Sequence, residues 1–540
     1  MRGKLFLLSF LSAALLTAAW PPWGFAPLLF VAFVPLILIQ QTISADNRLR
    51  ARHLFFYAYL AFVAWNAFTT WWIWFASPGG AMMAILANSL LMALTFLLFH
   101  KVRRALPERF SSFSLLPVWI SFEYFHLDWD LTWPWLTLGN GFADMHSLIQ
   151  WYDCTGVFGG TAWILLLNVL VADLIMHRNT LLRPVKSKIV YLSALGFLFF
   201  IPIAISLFRY YRFDVHADTV KAIDVVVVQP NVDPYRKFGE NFQEQLNQIL
   251  AIAGEKTDSS TDYVVLPETA LTEDLWEHAM QHSWSIKRLQ EFRANFPRLS
   301  IVSGATTGKE YFPGEMPSST ARKYAKANAW YDIFNAAFQV DGRAEIPLYH
   351  KSKLVPGVER MPFPKYMKFF EKFAIDMGGS RGSLGIQDER TVFYSPQGTG
   401  IAPVICYESV YGEYVGQYIR NGADFIFIIT NDGWWGDTPG YKQHLLYGRL
   451  RAIETRKSIA RSANTGISCF IDQRGDIHQP LGWWIPGAIR QKITSTSGQT
   501  FYTRHGDYLG TIMWWLASGL VLWTILKLFK RRFRMKASKK

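Results

Sequence analysis

The sequence predicts a membrane α-helical bundle of eight spans joined to an extracytoplasmic layered α/β domain. Three observations lead there. Apolar runs of near-spanning length fill the first 210 residues and recur once near the end; the loops between them alternate between basic and bare of Lys and Arg; and residues 215 to 506 change to mixed charge with short β-rich runs. At 540 residues the chain exceeds the usual domain of about 100 to 200 residues, so more than one structural unit is expected. Hydrophobic residues make up 51% and aromatics 16%, yet the net charge is +14, a combination that suits a membrane protein with basic loops. Nucleic acid is therefore not the expected partner. The 22 Trp and 23 Tyr agree, because amphipathic rings collect where hydrocarbon meets water.

A hydrocarbon core of about 30 Å requires some 20 apolar residues per helix. The spans read from this are roughly 4 to 20, 25 to 41, 54 to 77, 81 to 100, 112 to 127, 156 to 176, 189 to 208 and 508 to 529. Arg2 and Lys4 before the first run resemble the start of a signal peptide, but the following TAAWPPWG lacks a small-x-small cleavage pattern, so the run is read as an uncleaved span. Domain boundaries follow: 1–210 holds seven spans, 215–506 is the catalytic candidate, 508–529 is the eighth span and 530–540 a basic tail.

Orientation comes from the loop charges, since Lys and Arg near span ends stay cytoplasmic. Arg48, Arg50 and Arg52 follow the second span; Lys101, Arg103, Arg104 and Arg109 the fourth; Arg178, Arg183, Lys186 and Lys188 the sixth; and the tail reads KLFKRRFRMKASKK. The opposite loops, SPGG at 77 to 80 and residues 126 to 147, carry no Lys or Arg. Both termini are thus expected in the cytoplasm, with 215–506 facing the outside of the cytoplasmic membrane. Asn66, Asn88, Glu123 and Asp173 sit in or beside spans; they read as inter-helix packing groups, and no sustained run of intramembrane charge marks an ion pathway.

In the exported part, strand candidates begin at about residues 223, 262, 300, 334, 392, 400, 423 and 467. Their continuous Val/Ile runs imply cover on both faces. Phe242, Leu246, Ile249, Leu250 and Ala253 form one stripe of an amphipathic helix, and a second helix runs from about Tyr441 to Arg456. Mixed strands and helices of these lengths give sheets sandwiched by helices.

Three strand ends carry reactive groups: Glu268 in VVLPETA, Lys351 in LYHKSKLVPGVE and Cys406 in APVICYES. Singly, each has an ordinary structural explanation as a cap, a solvated charge or a buried apolar thiol. Together they meet the needs of nucleophilic acyl chemistry. A thiol attacks a carbonyl as thiolate, so it requires a base, here Glu268, and a cation, here Lys351, which also stabilises the oxyanion. Glu359, eight residues beyond Lys351, is placed to orient the lysine or share the proton, and Tyr407 and Glu408 to shape the pocket; Lys353 is an alternative cation. Of the three cysteines, Cys469 alternates on a strand and Cys154 lies at a membrane boundary; neither sits in such a pattern, and no metal-ligand constellation or phosphate loop occurs, so no cofactor is expected. His444 in YKQHLLYGRL reads as a helical surface position.

PETA, HKSKLVPGVE, ICYES and TNDGWWGD resemble, in order and spacing, the nitrilase superfamily, over about residues 220 to 500. That resemblance implies an α-β-β-α sandwich with a Glu, Lys and Cys triad. With the spans added, the whole chain resembles the apolipoprotein N-acyltransferases. The resemblance implies that a phospholipid donates an acyl chain to Cys406, and that the thioester is attacked by the α-amino group of diacylglyceryl-cysteine at an apolipoprotein N-terminus. It carries Glu359, Tyr407 and Glu408 as supporting residues. Two places depart from the family pattern: Phe238 stands where many members have Trp, and VPGVERMPFP replaces the commoner VPFGE.

A lipid substrate exposes roughly 0.8 kcal/mol of apolar cost per methylene, so the cleft is expected to open onto the bilayer. EYFPGEMPSS at 310 and MPFPKYMKFFEKFAIDM at 361 are candidate membrane-resting arms, and Trp434 and Trp435 line the acyl pocket or fill the core. The chain is expected to act as a monomer. Rival readings are a membrane-tethered amidase or nitrilase acting on a small carbon-nitrogen substrate, and a non-catalytic lipid-binding or transport protein.

Overall fold

A computed structural model describes residues 2–178, 185–215, 219–239, 241–325, 328–363 and 383–537. Contacts divide the chain into two units, the first comprising Met1–Trp71, Ala81–Tyr210 and Asp507–Lys540, the second Trp72–Gly80 and Tyr211–Gly506.

The first unit is helical. Six helical stretches among the described residues are long and apolar enough to cross a membrane: Arg2–Ala19, Ala26–Ala45, Pro78–Ala105, Tyr152–Met176, Lys188–Arg212 and Tyr508–Arg531. Eight were expected from the sequence. The two that fall short fail for different reasons. Ala51–Thr70 is 20 residues long but carries Arg52, His53, Asn66, Thr69 and Thr70, whereas Leu115–Phe125 is only 11 residues. The second stretch is interrupted at Phe33, where Pro35 follows near the start of the next helical piece and supplies no backbone donor. Asn168 repairs the break: its Oδ1 accepts from Phe33 N at 2.7 Å and Val34 N at 3.1 Å, and its Nδ2 donates to Leu29 O at 2.7 Å. Asn66 and Asn88 act as interhelical glue, with Asn88 Nδ2 donating to Asn66 Oδ1 at 2.9 Å.

The second unit is built from fourteen strands among the described residues. In chain order they are β1 (Thr219–Gln229), β2 (Tyr263–Val265), β3 (Leu271–Trp276), β4 (Ser300–Tyr311), β5 (Arg322–Lys323), β6 (Trp330–Val340) and β7 (Leu348–His350), then β8 (Phe393–Tyr394), β9 (Gly400–Ile405), β10 (Phe425–Thr430), β11 (Ile459–Ala463), β12 (Cys469–Ile471), β13 (Ile477–His478) and β14 (Gly487–Thr496). One sheet runs β14-β1-β2-β4-β6-β5, with β3 on β4 and β7 on β6; the other runs β13-β12-β11-β10-β9-β8. The central pairs β1/β2, β2/β4, β9/β10 and β10/β11 are parallel, as the continuous apolar runs require.

The layers run helix, sheet, sheet, helix. Alternation along β1 sends Val226 and Val228 outward against Leu246, Ile249 and Leu250 of the Phe242–Gly254 helix and Ile286 and Leu289 of the Trp284–Ala294 helix. Each such buried aliphatic contributes about 1.5 to 3 kcal/mol. Asn241 caps the first of these helices through Gln243 N, and Phe242 meets Trp284 edge to face at 5.9 Å, tying the pair together. On the inner side, Tyr263 of β2 packs on Phe427 of β10 at 5.2 Å, bringing the two sheets face to face. The Pro439–Thr455 helix covers the second sheet so closely that a Cβ on Gly448 would lie 3.1 Å from Ile471 and 3.7 Å from Ile428.

The segment Trp72–Gly80 departs from the sequence reading, which ran a span through residue 77. The long helix stops at Thr70, and Trp72 packs instead within the second unit, its Nε1 donating to Gln443 at 3.2 Å. Of the two candidate arms, Phe312 and Met316 are highly exposed. The other lies outside the described residues from 364 onward.

Candidate active site

Glu268 is delivered by the turn that follows β2. That turn crosses the edge of β4 at close range, held by Leu266 N to Val302 O at 2.9 Å and Gly304 N to Pro267 O at 3.1 Å. Only a residue without Cβ fits at position 304, because a Cβ there would lie 2.7 Å from Glu268 Cα. The buried carboxyl is then fixed from three directions. Asn335 Nδ2 donates to Oε1 at 2.7 Å, Lys351 Nζ to Oε1 at 3.0 Å and Asn431 N to Oε2 at 3.0 Å.

Lys351 emerges at the end of β7, its own N–H bonded to Asn335 O at 2.8 Å. The side chain is 1% exposed and bridges two carboxylates, Glu268 at 3.0 Å and Glu359 at 2.8 Å. Burial alone pushes its pKa down, but Glu268 and Glu359 outweigh burial and hold it well above the ordinary lysine value. Glu359 is set by Val355 N on Oε2 at 2.8 Å and Asn335 Nδ2 on Oε1 at 3.0 Å, so the altered VPGVE stretch still brings its carboxyl to the lysine. Lys353 points elsewhere, over the Tyr411 ring at 5.1 Å.

Cys406 begins the 3₁₀ turn Cys406–Val410 directly after β9, with φ at 51°. This left-handed conformation costs a residue with a Cβ about 1 to 2 kcal/mol. Its carbonyl is pinned in return: Ser409 Oγ donates to it at 2.7 Å and His444 Nε2 stands at 3.1 Å. Burial and the Glu268 charge raise the thiol above its ordinary pKa, against the pull of Lys351. A thiol raised in this way would need a base in order to act as a nucleophile.

The residues after Cys406 divide in role. Tyr407 is buried edge-on to Tyr411 at 5.3 Å. Glu408, expected to shape the pocket, turns instead into the scaffold. It accepts from Tyr349 Oη at 2.6 Å, Tyr414 Oη at 2.7 Å, Ser352 N at 2.8 Å and Ile405 N at 2.9 Å, which ties the nucleophile turn to the Lys351 loop. Phe238 is partly exposed, with Lys237 Nζ 5.6 Å from its ring centre. Trp434 stacks edge-on to Tyr235 at 5.2 Å, while Trp435 sits between Trp72 at 4.8 Å and His444 at 5.6 Å.

Sequence reasoning missed several groups. Asn335 donates to both carboxylates, Glu268 and Glu359, and its backbone carbonyl accepts from Lys351 N, yet in FNAAFQVD it reads as a polar residue on a strand. Lys237 is buried, with Nζ donating to Glu268 O at 3.3 Å and to Thr269 Oγ1; burial lowers its pKa to about 8 despite Glu268. His444 is no surface residue: it is 1% exposed and bonded through Nδ1 to Asp432 at 2.9 Å. Asp432 also pairs with Arg461 at 2.6 Å. The apolar neighbours Leu445, Leu446 and Tyr447, all buried, were the available signal that this helix is covered on most sides. Cys469 is fully buried, and Cys154, in the first unit, lies 3.7 Å from Arg209, which pairs with Asp153.

Residues 225–501 match the carbon-nitrogen hydrolase family, and residues 12–170 match the apolipoprotein N-acyltransferase N-terminal domain. The chain belongs to the apolipoprotein N-acyltransferase family of carbon-nitrogen hydrolases. Similar proteins named apolipoprotein N-acyltransferase include one from Chlorobaculum tepidum, 29% identical over 533 residues covering 96% of each chain. One from Geobacter metallireducens is 27% identical over 524 residues, covering 93% of this chain and 92% of that one, and one from Pasteurella multocida is 25% identical over 533 residues, covering 94% and 93%. Within this N-acyltransferase family, the Glu268–Lys351–Glu359 cluster and the strained Cys406 turn are the parts suited to acyl chemistry.

Proposed function

We propose that this chain transfers a fatty acyl group from a phospholipid, through a thioester on Cys406, to the N-terminal amine of a diacylglyceryl-cysteine apolipoprotein. The observation that carries the reading is the buried carboxylate of Glu268 bonded to Lys351, which Glu359 holds from its other side. In the first half-reaction the Cys406 thiol proton passes to Glu268 as sulfur attacks the donor ester carbonyl. The carbon–sulfur bond forms, the oxyanion is met by the Lys351 ammonium, and the ester carbon–oxygen bond breaks as Glu268 returns the proton to the leaving alkoxide. In the second, the acceptor amine attacks the thioester, Glu268 takes an amine proton, the amide forms and the sulfur leaves to regain its proton. Glu359 and Asn335 hold Lys351 and Glu268 in register. Lys237 braces the Glu268 turn through Glu268 O and Thr269 Oγ1, and Phe238, Trp434 and Trp435 are assigned to substrate contact in this reading.

The same reading places the catalytic unit outside the cytoplasmic membrane with both termini inside. Among the described residues five long apolar helices precede it, or seven if Ala51–Thr70 and Leu115–Phe125 also cross; both counts are odd. The basic loop at Lys101 to Arg109 favours seven, because it keeps that cluster cytoplasmic. Residues 1–210, 215–506, 508–529 and 530–540 are then the bundle, the periplasmic catalytic domain, the eighth span and the tail of a monomer.

The decisive experiment incubates full-length protein with phospholipid and measures intact mass. A fatty acyl increment on a peptide containing Cys406, discharged by a diacylated lipopeptide and absent in Cys406→Ala, is expected. Folded, donor-supplied protein that forms no adduct would refute the mechanism. Discharge by water at the same rate as by lipopeptide would indicate a hydrolase instead.

A further inference from the structure

Under Cys406 lies a buried polar chain with no task in the chemistry above. Arg461 of β11 binds Asp432 at 2.6 Å, Asp432 binds His444 Nδ1 at 2.9 Å, and His444 Nε2 lies 3.0 Å from Ser409 Oγ and 3.1 Å from the Cys406 carbonyl oxygen. Thr430 Oγ1 donates to Asp432 at 2.9 Å, so the carboxylate is fixed from a third side. All of these side chains are buried. The ring of Trp435 stands edge-on to His444 at 79°, and Trp72 backs Trp435 in turn, which limits rotation of the imidazole.

A carboxylate only accepts, so Nδ1 of His444 carries a proton toward Asp432. A carbonyl likewise only accepts, so the 3.1 Å approach of Nε2 to the Cys406 oxygen is a hydrogen bond when Nε2 carries a proton, and His444 then joins Ser409, whose single hydroxyl proton already goes to that oxygen, as a second donor. In that state the chain terminates on one peptide group, that between Cys406 and Tyr407. A trans peptide plane carries its N–H on the edge opposite its C=O, so whatever fixes the carbonyl aims the Tyr407 N–H. Donation to the carbonyl also polarises that N–H.

We propose that His444, held by Asp432 and Arg461, is a positioning residue for acyl transfer: it locks the Cys406–Tyr407 peptide, keeping the nucleophile in its left-handed conformation and the Tyr407 N–H directed at the developing oxyanion. The proposal rests on the acyl-transfer reading. It assigns Trp435 a support role against His444 in place of a lining role alone.

The test uses full-length wild type, H444A, H444Q and S409A with phospholipid, reading timed acylation of Cys406 by intact mass across donor concentrations, with thermal unfolding in parallel. H444A is expected to lower the limiting acylation rate about 10- to 100-fold, with half-saturating donor changed less than about twofold. H444Q, whose amide can donate to the same carbonyl, is expected to recover at least about fivefold of that loss, and S409A to lose about three- to tenfold. Should H444A not fold, the S409A loss in limiting rate carries the test. The proposal is overturned if folded H444A acylates within twofold of wild type, if its loss lies wholly in half-saturating donor, if H444Q is as slow as H444A, or if S409A matches wild type. An unlabelled wild type would instead overturn the acyl-transfer reading itself.

Discussion

Replacing Gly304 with Ala adds one methyl group behind the proposed base without altering any side chain of the site. The new Cβ would lie 2.7 Å from Glu268 Cα, 2.7 Å from Thr269 N and 2.9 Å from Pro267 O, all backbone, where ordinary contact begins at 3.4 Å. Strand and turn must therefore separate by roughly 0.5 to 0.7 Å, at an overpacking cost of about 1 to 3 kcal/mol. The side chain travels with its Cα. A displacement of that size stretches the 2.7 Å Asn335 bond to Glu268 beyond 3.2 Å, the limit of a good hydrogen bond. Since a misplacement of about 1 Å costs on the order of 100-fold in rate, a loss near tenfold is expected. Single-turnover acylation of Cys406, followed by intact mass on protein whose unfolding temperature is measured alongside, reports both effects. A folded Gly304→Ala protein that acylates at the wild-type rate would show that the placement of Glu268 does not set the rate.

Two further outcomes follow from the charges. Glu359→Gln keeps an acceptor for Asn335 but removes one of the two carboxylates that hold Lys351 above its ordinary pKa, against burial. The expected result is a slower acylation step and an alkaline limb of the pH–rate profile that moves to lower pH; an unmoved limb would exclude Glu359 as the lysine's second counter-charge. Burial raises the pKa of Asp432, but Arg461 and His444 overcome it and hold the carboxyl at about 2. Because the folded value lies below the unfolded one near 3.9, this group contributes stability that is complete above pH 4 and lost as pH falls through 2, of order 2 kcal/mol. Thermal unfolding between pH 6 and 2 should show Asp432→Asn less stable at neutral pH and converging on wild type in acid; parallel curves would contradict the assignment.

Residues whose meaning is local were readable from sequence. Glu268, Lys351 and Cys406 each lie at a strand end, and the structure brings the first two into direct contact, with Lys351 between Glu268 and Glu359. What escaped depends on tertiary packing. Strand β14 alternates polar and apolar residues in GAIRQKITST and was passed over, yet it pairs along the length of β1. His444 reads from sequence as a helical surface position, whereas in the fold Trp435 packs against it and Asp432 binds it. Glu408 was assigned to the pocket by adjacency; a side chain next to a nucleophile in a tight turn points the other way, here toward Tyr349 and Tyr414. The span count differed because a hydropathy run ignores where a helix stops, and Leu115–Phe125 stops after 11 residues.

Residues 72 to 80 lie in sequence between two pieces of the helical unit, yet their packing partners belong to the other one. Trp72 fills the space that a Cβ on Gly440 would occupy, 2.6 Å from its ring, and abuts Trp435. A cut at residue 210 therefore does not release an intact catalytic module. The excised piece would lack the indole that covers Gly440 and Trp435, and exchanging helical halves between relatives would exchange that indole too. Cleft and anchor are a single inheritance, interleaved along the chain.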